Sequence, residues 1–260
     1  MTGAGFPAPG GLFAPLAPLL EEIPLAPDLA ALQVLGSTRE VRTGAGHRLS
    51  FVPPPSDGLA YEARIWATGQ VATRAGNWHD FFNALVWFTF PLSKAALNAR
   101  HALALTRQAA VRGGERDAMT HFDECGVVVV SSDPVLLALL RGFQWKALFW
   151  EHRSELERAL RCFVFGHATY EHLLLPFRGL TAKAVLYAVA PDWLGRPLPE
   201  QLAAIDQRLA AELTAGKFHQ PRVFQPLPLL GLPGVTPENE MAAYYDDEGH
   251  FRPGRRARGV

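Results

Sequence analysis

The chain has 260 residues, of which 48% are hydrophobic and 19% charged; this is ample for a sizeable core and excludes an intrinsically disordered protein. Lysines and arginines number 25, as do aspartates and glutamates, so the formal net charge is zero. A protein that binds nucleic acid or a membrane surface with a whole face usually carries a basic excess, and this chain has none overall.

The first 45 residues are rich in proline and predict an arm lying over the surface. One helix is expected from residue 27 to about 35, after the Pro27-Asp28 start. Residues 49–52 predict a short strand, residues 61–66 alternate as in a strand, and Gly69 marks a turn into a strand-like run at 71–73.

The middle of the chain predicts two consecutive helices. Asn77 is a suitable N-cap for a mostly apolar helix that runs to about Phe90 and stops at Pro91. A second helix is expected from Lys94 to about residue 110, ended by the glycines at 113 and 114.

The second half alternates helical and strand-like patterns. Residues 118–122 and 127–130 flank a Gly-containing loop and predict a hairpin. Helices are expected from 133 to 142, 145 to 161, 163 to 175 and 199 to 215, with a strand at 183–189.

These elements predict a mainly helical α+β fold with a small antiparallel or mixed sheet. A single domain is expected at residues 46–216, between a proline- and glycine-rich N-terminal arm at 1–45 and a proline-rich arm at 217–260. The last arm ends in a basic tail from Arg252 to Arg258, the one segment with the charge to contact nucleic acid.

Polar residues crowd the first turn of the central helix. Asn77, His79, Asp80 and Asn83 lie beside large apolar residues, and a buried polar side chain costs about 1–3 kcal/mol unless it has a partner. Capping and internal hydrogen bonds would satisfy them, and so would a ligand. Both interpretations stay open at this point.

Several of these residues are of the types that bind metal ions. His79 and His101 would come from neighbouring antiparallel helices, with a carboxylate from Asp80, Asp117, Asp123 or Glu124. Imidazole and carboxylate are ligands of zinc, iron and manganese, so a divalent ion is a candidate cofactor, although no HExxH motif is present.

The densest polar segment runs from Arg116 to Gly126. Asp123 and Glu124 are candidate general bases or ordinary turn residues, and Arg116 is a candidate clamp for a carboxylate or phosphate. Further along, His167 and Glu171 are spaced for one helix face, as a metal pair or as a hydrogen-bonded pair. The candidate ligand-binding residues are Asn77, Asn83, Asn98, Thr120, His167 and Glu171.

The same residues carry a family resemblance. The sequence from Asn77 to Trp87, with Phe90-Pro91, Lys94, Leu97-Asn98 and His101, resembles an uncharacterised bacterial family classed only as a domain of unknown function. Further matching motifs are Arg116-Asp117-Ala118, Thr120, Phe122-Asp123-Glu124, Gly126, Phe165-Gly166-His167 and Glu171. The resemblance covers roughly residues 45–215, supports the choice of polar positions and implies no activity.

Three functional hypotheses follow from the sequence. The first is a metal-assisted hydrolase, acting on a phosphoester, that uses the His/Asp/Glu/Arg cluster. The second is a non-catalytic protein that binds an anionic metabolite or a protein partner, and the third is a buried polar network that only fixes the fold.

The location of the protein is also predicted. Cys125 and Cys162 form no CxxC pair and are expected to be reduced thiols. No apolar run reaches the roughly 18 residues of a membrane helix. We therefore expect a soluble, cytoplasmic protein.

Overall fold

The computed structural model describes residues 11–23, 27–106 and 113–254. The fold is α+β and mainly helical, as predicted. The helices are α1 (Ala17–Leu20), α2 (Leu29–Thr38), α3 (Tyr61–Thr68), α4 (Trp78–Thr89), α5 (Pro91–Thr106), α6 (Gly113–Cys125), α7 (Pro134–Arg141), α8 (Arg153–Ala159), α9 (His167–Leu174) and α10 (Leu198–Thr214). The strands are β1 (Ser50–Val52), β2 (Gln70–Ala72), β3 (Gly126–Ser131), β4 (Leu160–Val164), β5 (Thr181–Ala188) and β6 (Gln225–Pro228).

The larger sheet has four strands in the order β4-β3-β5-β6. The two central strands, β3 and β5, are parallel, and each has an antiparallel neighbour on its outer side. All six residues of β3 are buried, as expected for a central strand rich in valine. Strands β1 and β2 form a separate parallel pair with Phe51 opposite Val71.

The strand predicted at residues 61–66 is wrong, because this segment is helix α3. Ala63, Arg64 and Ala67 favour a helix, and Arg64 and Ile65 form its buried side. Gly69, with a φ of 75°, ends the helix in the left-handed conformation. The turn predicted at Gly69 is therefore correct, but it follows a helix.

The hairpin predicted at residues 118–130 is also wrong. Its first arm is the end of helix α6, since Ala118, Met119 and Phe122 have the spacing of one buried helix face. Its second arm is strand β3, which begins at Gly126 directly after the helix ends at Cys125.

The helices predicted at 145–161 and 163–175 overlap a strand that the sequence analysis missed. A turn of π-helix at Ala147–Glu151 precedes α8, which ends at Ala159. The apolar run at 160–164 is β4, and the next helix starts only at His167. A short apolar run fits a buried strand as well as a buried helix, which explains the error.

Both predicted arms contain buried residues. In the first, Leu12, Phe13 and Leu16 lie in the core. In the second, β6 is the edge strand of the large sheet, and the Trp145 indole donates a hydrogen bond to the Arg252 carbonyl at 2.7 Å. The rest of the basic tail, from residue 255, lies outside the described residues. Within the described part, no helix combines the length and apolar character needed to cross a membrane.

A buried aspartate on α10 caps the start of α5. The Leu92 and Ser93 amides donate to the two oxygens of the Asp206 carboxylate at 2.9 and 2.8 Å. These are amides of the first turn, which have no partner within the helix. Asp206 therefore fixes the direction in which α5 leaves α4.

Replacing Asp206 with alanine is expected to lower the free energy of unfolding by about 1–3 kcal/mol, because two buried amides lose their acceptor. Urea denaturation checks this value. The neighbouring Gln207→Ala removes an exposed side chain from the same helix and serves as the control. Equal stability of the two variants would contradict the capping role.

Candidate metal centre

Three helix ends meet at one place. His79 lies in the first turn of α4, Glu124 near the end of α6, and His167 at the start of α9. Asn77 caps α4 by accepting a hydrogen bond from the Asp80 amide at 3.0 Å, as predicted. The site is thus assembled from segments that are distant in the sequence.

Two glycines allow the backbones at the site to approach closely. A Cβ atom on Gly166 would lie 2.4 Å from the Glu124 carbonyl oxygen and 2.5 Å from the Gly126 nitrogen. The amides of Phe165 and Gly166 both donate to the Gly126 carbonyl, at 2.9 and 2.8 Å. This contact brings His167, the next residue, against Glu124.

The orientation of the His79 ring is fixed by Glu171. His79 Nδ1 lies 2.9 Å from Glu171 Oε2, and because the carboxylate accepts, Nδ1 carries the ring proton. In the neutral ring, His79 Nε2 then has a free lone pair, and it lies 3.0 Å from His167 Nε2. A carboxylate behind a histidine in this way is typical of histidines that bind metals.

The Glu124 carboxylate completes a triangle with the two imidazoles. Glu124 Oε2 lies 3.8 Å from His79 Nε2 and 3.5 Å from His167 Nε2. With the 3.0 Å between the nitrogens, these sides give a circumradius of about 2.0 Å, so one point lies about 2.0 Å from all three atoms. Zinc binds histidine nitrogen at about 2.0–2.1 Å and carboxylate oxygen at about 2.0–2.2 Å.

His167 is buried and neutral. Its side chain is only 6% exposed, and burial lowers its pKa to about 3. Its Nδ1 has no hydrogen-bond partner among the described residues and lies 3.9 Å from Asp123 Oδ2. A proton on Nδ1 is favoured beside this carboxylate, because a bare lone pair there would face a negative charge.

The contact between the two imidazoles depends on the charge of His79. When His79 is neutral, with its proton on Nδ1, its Nε2 lone pair faces that of His167 across 3.0 Å; when His79 is an imidazolium, its Nε2 proton makes this contact a hydrogen bond. The nearby Glu124 carboxylate is partly buried, and this burial raises its pKa. A cation among these three groups would satisfy all of them.

A buried network lies behind Asp123. The Lys94 ammonium donates to Asp123 Oδ1 at 2.5 Å and to Asn83 Oδ1 at 2.9 Å, and Lys94 is only 3% exposed. Asn83 Nδ2 in turn donates to the Tyr61 hydroxyl oxygen at 2.6 Å. Burial opposes the charge on Asp123, but Lys94 outweighs that effect and holds the pKa of Asp123 below its usual range.

A cavity of about 320 Å³ opens beside the three ligand atoms. Its lining combines acidic, basic and neutral polar side chains with one phenol ring. The lining residues are Tyr61, Glu62, Arg74, His79, Asp80, Asn83, His101, Arg116, Thr120, Asp123, Glu124 and His167.

The predicted metal ligands separate in the structure. Among the described residues, the group with atoms close enough to share an ion is His79, Glu124 and His167. His101 lines the cavity but lies outside this group. Both oxygens of Asp80 accept hydrogen bonds from Arg74. Asp117 is exposed and does not line the cavity.

Of the other predicted site residues, some line the cavity and others are held in hydrogen bonds within the protein. Arg116 and Thr120 line the cavity, and neither forms an ion pair or side-chain hydrogen bond within the described part of the chain. Asn83 lies in the buried network. Asn98 donates to the carbonyl and carboxylate of Glu62, at 3.0 and 2.6 Å.

Four residues at the site received no role in the sequence analysis: Tyr61, Glu62, Arg74 and Lys94. Tyr61 and Glu62 were missed because their segment was predicted as a strand. The side of helix α3 that faces α5 could therefore not be predicted. Lys94 was noted only as part of the family motif, although a lysine on an apolar helix is a signal of a buried ion pair.

The fold and site define a mainly helical α+β protein with two histidines and a carboxylate beside an open cavity. The chain belongs to the family described as protein of unknown function (DUF3025), whose model matches residues 49–255. Comparison with the curated proteins and with the solved structures finds no match.

Proposed function

We propose that this protein is a metal-dependent hydrolase of small phosphoesters, with a divalent ion bound by His79, Glu124 and His167. The observation that carries the proposal is the single point about 2.0 Å from all three ligand atoms. Glu171 behind His79 supplies a carboxylate of the kind that orients metal-binding histidines, and Asp123 lies near His167 Nδ1 at 3.9 Å, beyond hydrogen-bond distance.

Two histidines and a glutamate are a ligand set that catalytic zinc sites use. Tetrahedral bonds of about 2.05 Å place neighbouring ligand atoms about 3.3 Å apart, whereas octahedral bonds of about 2.1 Å place adjacent ones about 3.0 Å apart. Of the three sides, 3.0 Å equals the octahedral value, 3.5 Å lies near the tetrahedral value and 3.8 Å exceeds both, so these separations fit neither geometry better than the other. We propose zinc because its chemistry with this ligand set is hydrolytic, and elemental analysis tests the choice.

Bound by three protein ligands, the ion would keep a coordination position for a water molecule. It would lower the pKa of that water to about 7, which would make hydroxide available near neutral pH. Arg116 lines the same cavity and is free to pair with the negative charge of a phosphoryl group. The hydroxide would serve as the nucleophile, and Arg116 would stabilise the negative charge that develops on the phosphoryl group.

The proposal is tested with zinc-loaded protein and two model substrates, 4-nitrophenyl phosphate and bis(4-nitrophenyl) phosphate. Release of 4-nitrophenolate is expected to stop on addition of a chelator and to fall at least 100-fold in His167→Ala. His121→Ala is the control, because His121 is exposed on α6 and does not line the cavity. Turnover that survives in His167→Ala would contradict the proposed role of this site.

The alternative is a non-catalytic protein that binds an anion at the same metal. The features that favour it are the buried and fully partnered Lys94 and Asn83, which make the floor of the cavity rigid. Zinc-loaded protein that binds phosphate but turns over neither substrate would favour this alternative.

A further inference from the structure

The hydrogen bonds below the cavity have a fixed direction. An ammonium group only donates, so the Asn83 atom 2.9 Å from Lys94 Nζ must be the amide oxygen. The amide nitrogen of Asn83 is then the atom 2.6 Å from the Tyr61 hydroxyl. Because an amide nitrogen only donates, the Tyr61 oxygen accepts this bond.

The Tyr61 hydroxyl proton is therefore free for another partner. The hydroxyl oxygen accepts from Asn83, and the O–H group donates to no other group among the described residues. Tyr61 lines the cavity, where Arg116 and Thr120 also have unused donors. The buried lysine thus fixes a phenol as a donor to whatever enters.

We propose that the Tyr61 hydroxyl donates a hydrogen bond to an oxyanion bound at the metal, and that the ligand is a phosphoryl group or a similar anion with several acceptor oxygens. This inference rests on the proposed function. The donors of Tyr61, Thr120 and Arg116 share one cavity with the metal ligands, and such a set matches the oxygens of a phosphoryl group.

A purely structural role for Tyr61 gives a different expectation. In that case the bond to Asn83 only holds α3 against α4, and removal of the hydroxyl would change stability without changing the affinity for an anion. Loss of the hydroxyl leaves the buried Asn83 amide without its acceptor, so a loss of stability is expected in either case. Anion affinity therefore separates the two roles.

The test is calorimetric titration of the zinc-loaded protein with inorganic phosphate. Tyr61→Phe is expected to raise the phosphate Kd about 10-fold or more, because a hydrogen bond to a charged group is lost. Its zinc content is expected to stay unchanged. Tyr187→Phe is the matched control, since that hydroxyl donates to Glu212 and does not line the cavity.

The outcomes separate this inference from the proposed function. Equal phosphate affinity in wild type and Tyr61→Phe, with zinc bound in both, would overturn the role of Tyr61 and leave the metal centre intact. A wild-type protein that binds no zinc would overturn both.

A second variant does not depend on losing the hydroxyl. Replacing Tyr61 with 3-fluorotyrosine gives a more acidic phenol of nearly the same shape. At pH 6, where this phenol is still protonated, we expect tighter phosphate binding than in wild type. Unchanged or weaker binding would count against a donated hydrogen bond.

Discussion

Replacing Lys94 with methionine is expected to lower the free energy of unfolding by about 3–5 kcal/mol. The Lys94 and Asp123 side chains are only 4% and 13% exposed, so the loss of the ammonium leaves a carboxylate charge in the interior without a partner. Methionine keeps most of the volume of the lysine stem but removes the ammonium, which lies 5.4 Å from the centre of the Trp87 ring. Urea denaturation of the metal-free protein measures the change.

A double variant isolates the charge from the packing. Lys94→Met combined with Asp123→Asn removes both charges, and it is expected to recover a large part of the lost stability. If the double variant is as unstable as Lys94→Met alone, the ion pair is not the source of the effect.

Replacing Gly166 with alanine is expected to disrupt the metal centre. The added Cβ would lie 2.4 to 2.6 Å from backbone atoms of Glu124, Cys125 and Gly126, so the start of α9 must move away from the end of α6. His167 moves with it, and the distance to Glu124 increases. We expect zinc affinity to fall at least 100-fold, measured by competition with a chromophoric chelator.

A second glycine provides the control for that experiment. Gly195 has open space where its Cβ would lie, so Gly195→Ala tests the effect of a methyl group on the backbone without a steric conflict. Full zinc affinity in Gly166→Ala would show that the junction between α6 and α9 does not position the ligands.

The parts of the fold that follow local rules were predictable. Asn77 caps its helix as expected, because a short side chain beside its own first turn needs no distant partner. Strand β5 was recognised from its β-branched and alternating residues. The class of fold, mainly helical α+β, followed from these elements.

The errors concern segments whose structure depends on distant neighbours. Helix α3 alternates like a strand when it is considered alone, and only its packing against α5 shows which residues are buried. Strand β4 is apolar enough for a helix and is fixed by pairing with β3. Such pairings are not encoded in a single short segment.

Many of the residues that the sequence analysis selected line the cavity, but the grouping of the histidines differs from the predicted one. His79 and His167 are 88 residues apart, and His79 and Glu171 are 92 apart, so no local spacing connects them. The sequence instead favoured His79 with His101, because their helices are consecutive in the chain. Helix ends, rather than helix faces, bring the ligands together.

The central claim is tested most directly by zinc analysis of three proteins. Metal-free wild type, His167→Ala and His101→Ala are incubated with zinc, freed of excess ion and measured by elemental analysis. We expect about one zinc per chain in wild type and in His101→Ala, and a loss of zinc in His167→Ala, because one of three ligands is missing. Zinc that is retained in His167→Ala but lost in His101→Ala, or absent from wild type, would contradict the assignment of His79, Glu124 and His167 as the ligands.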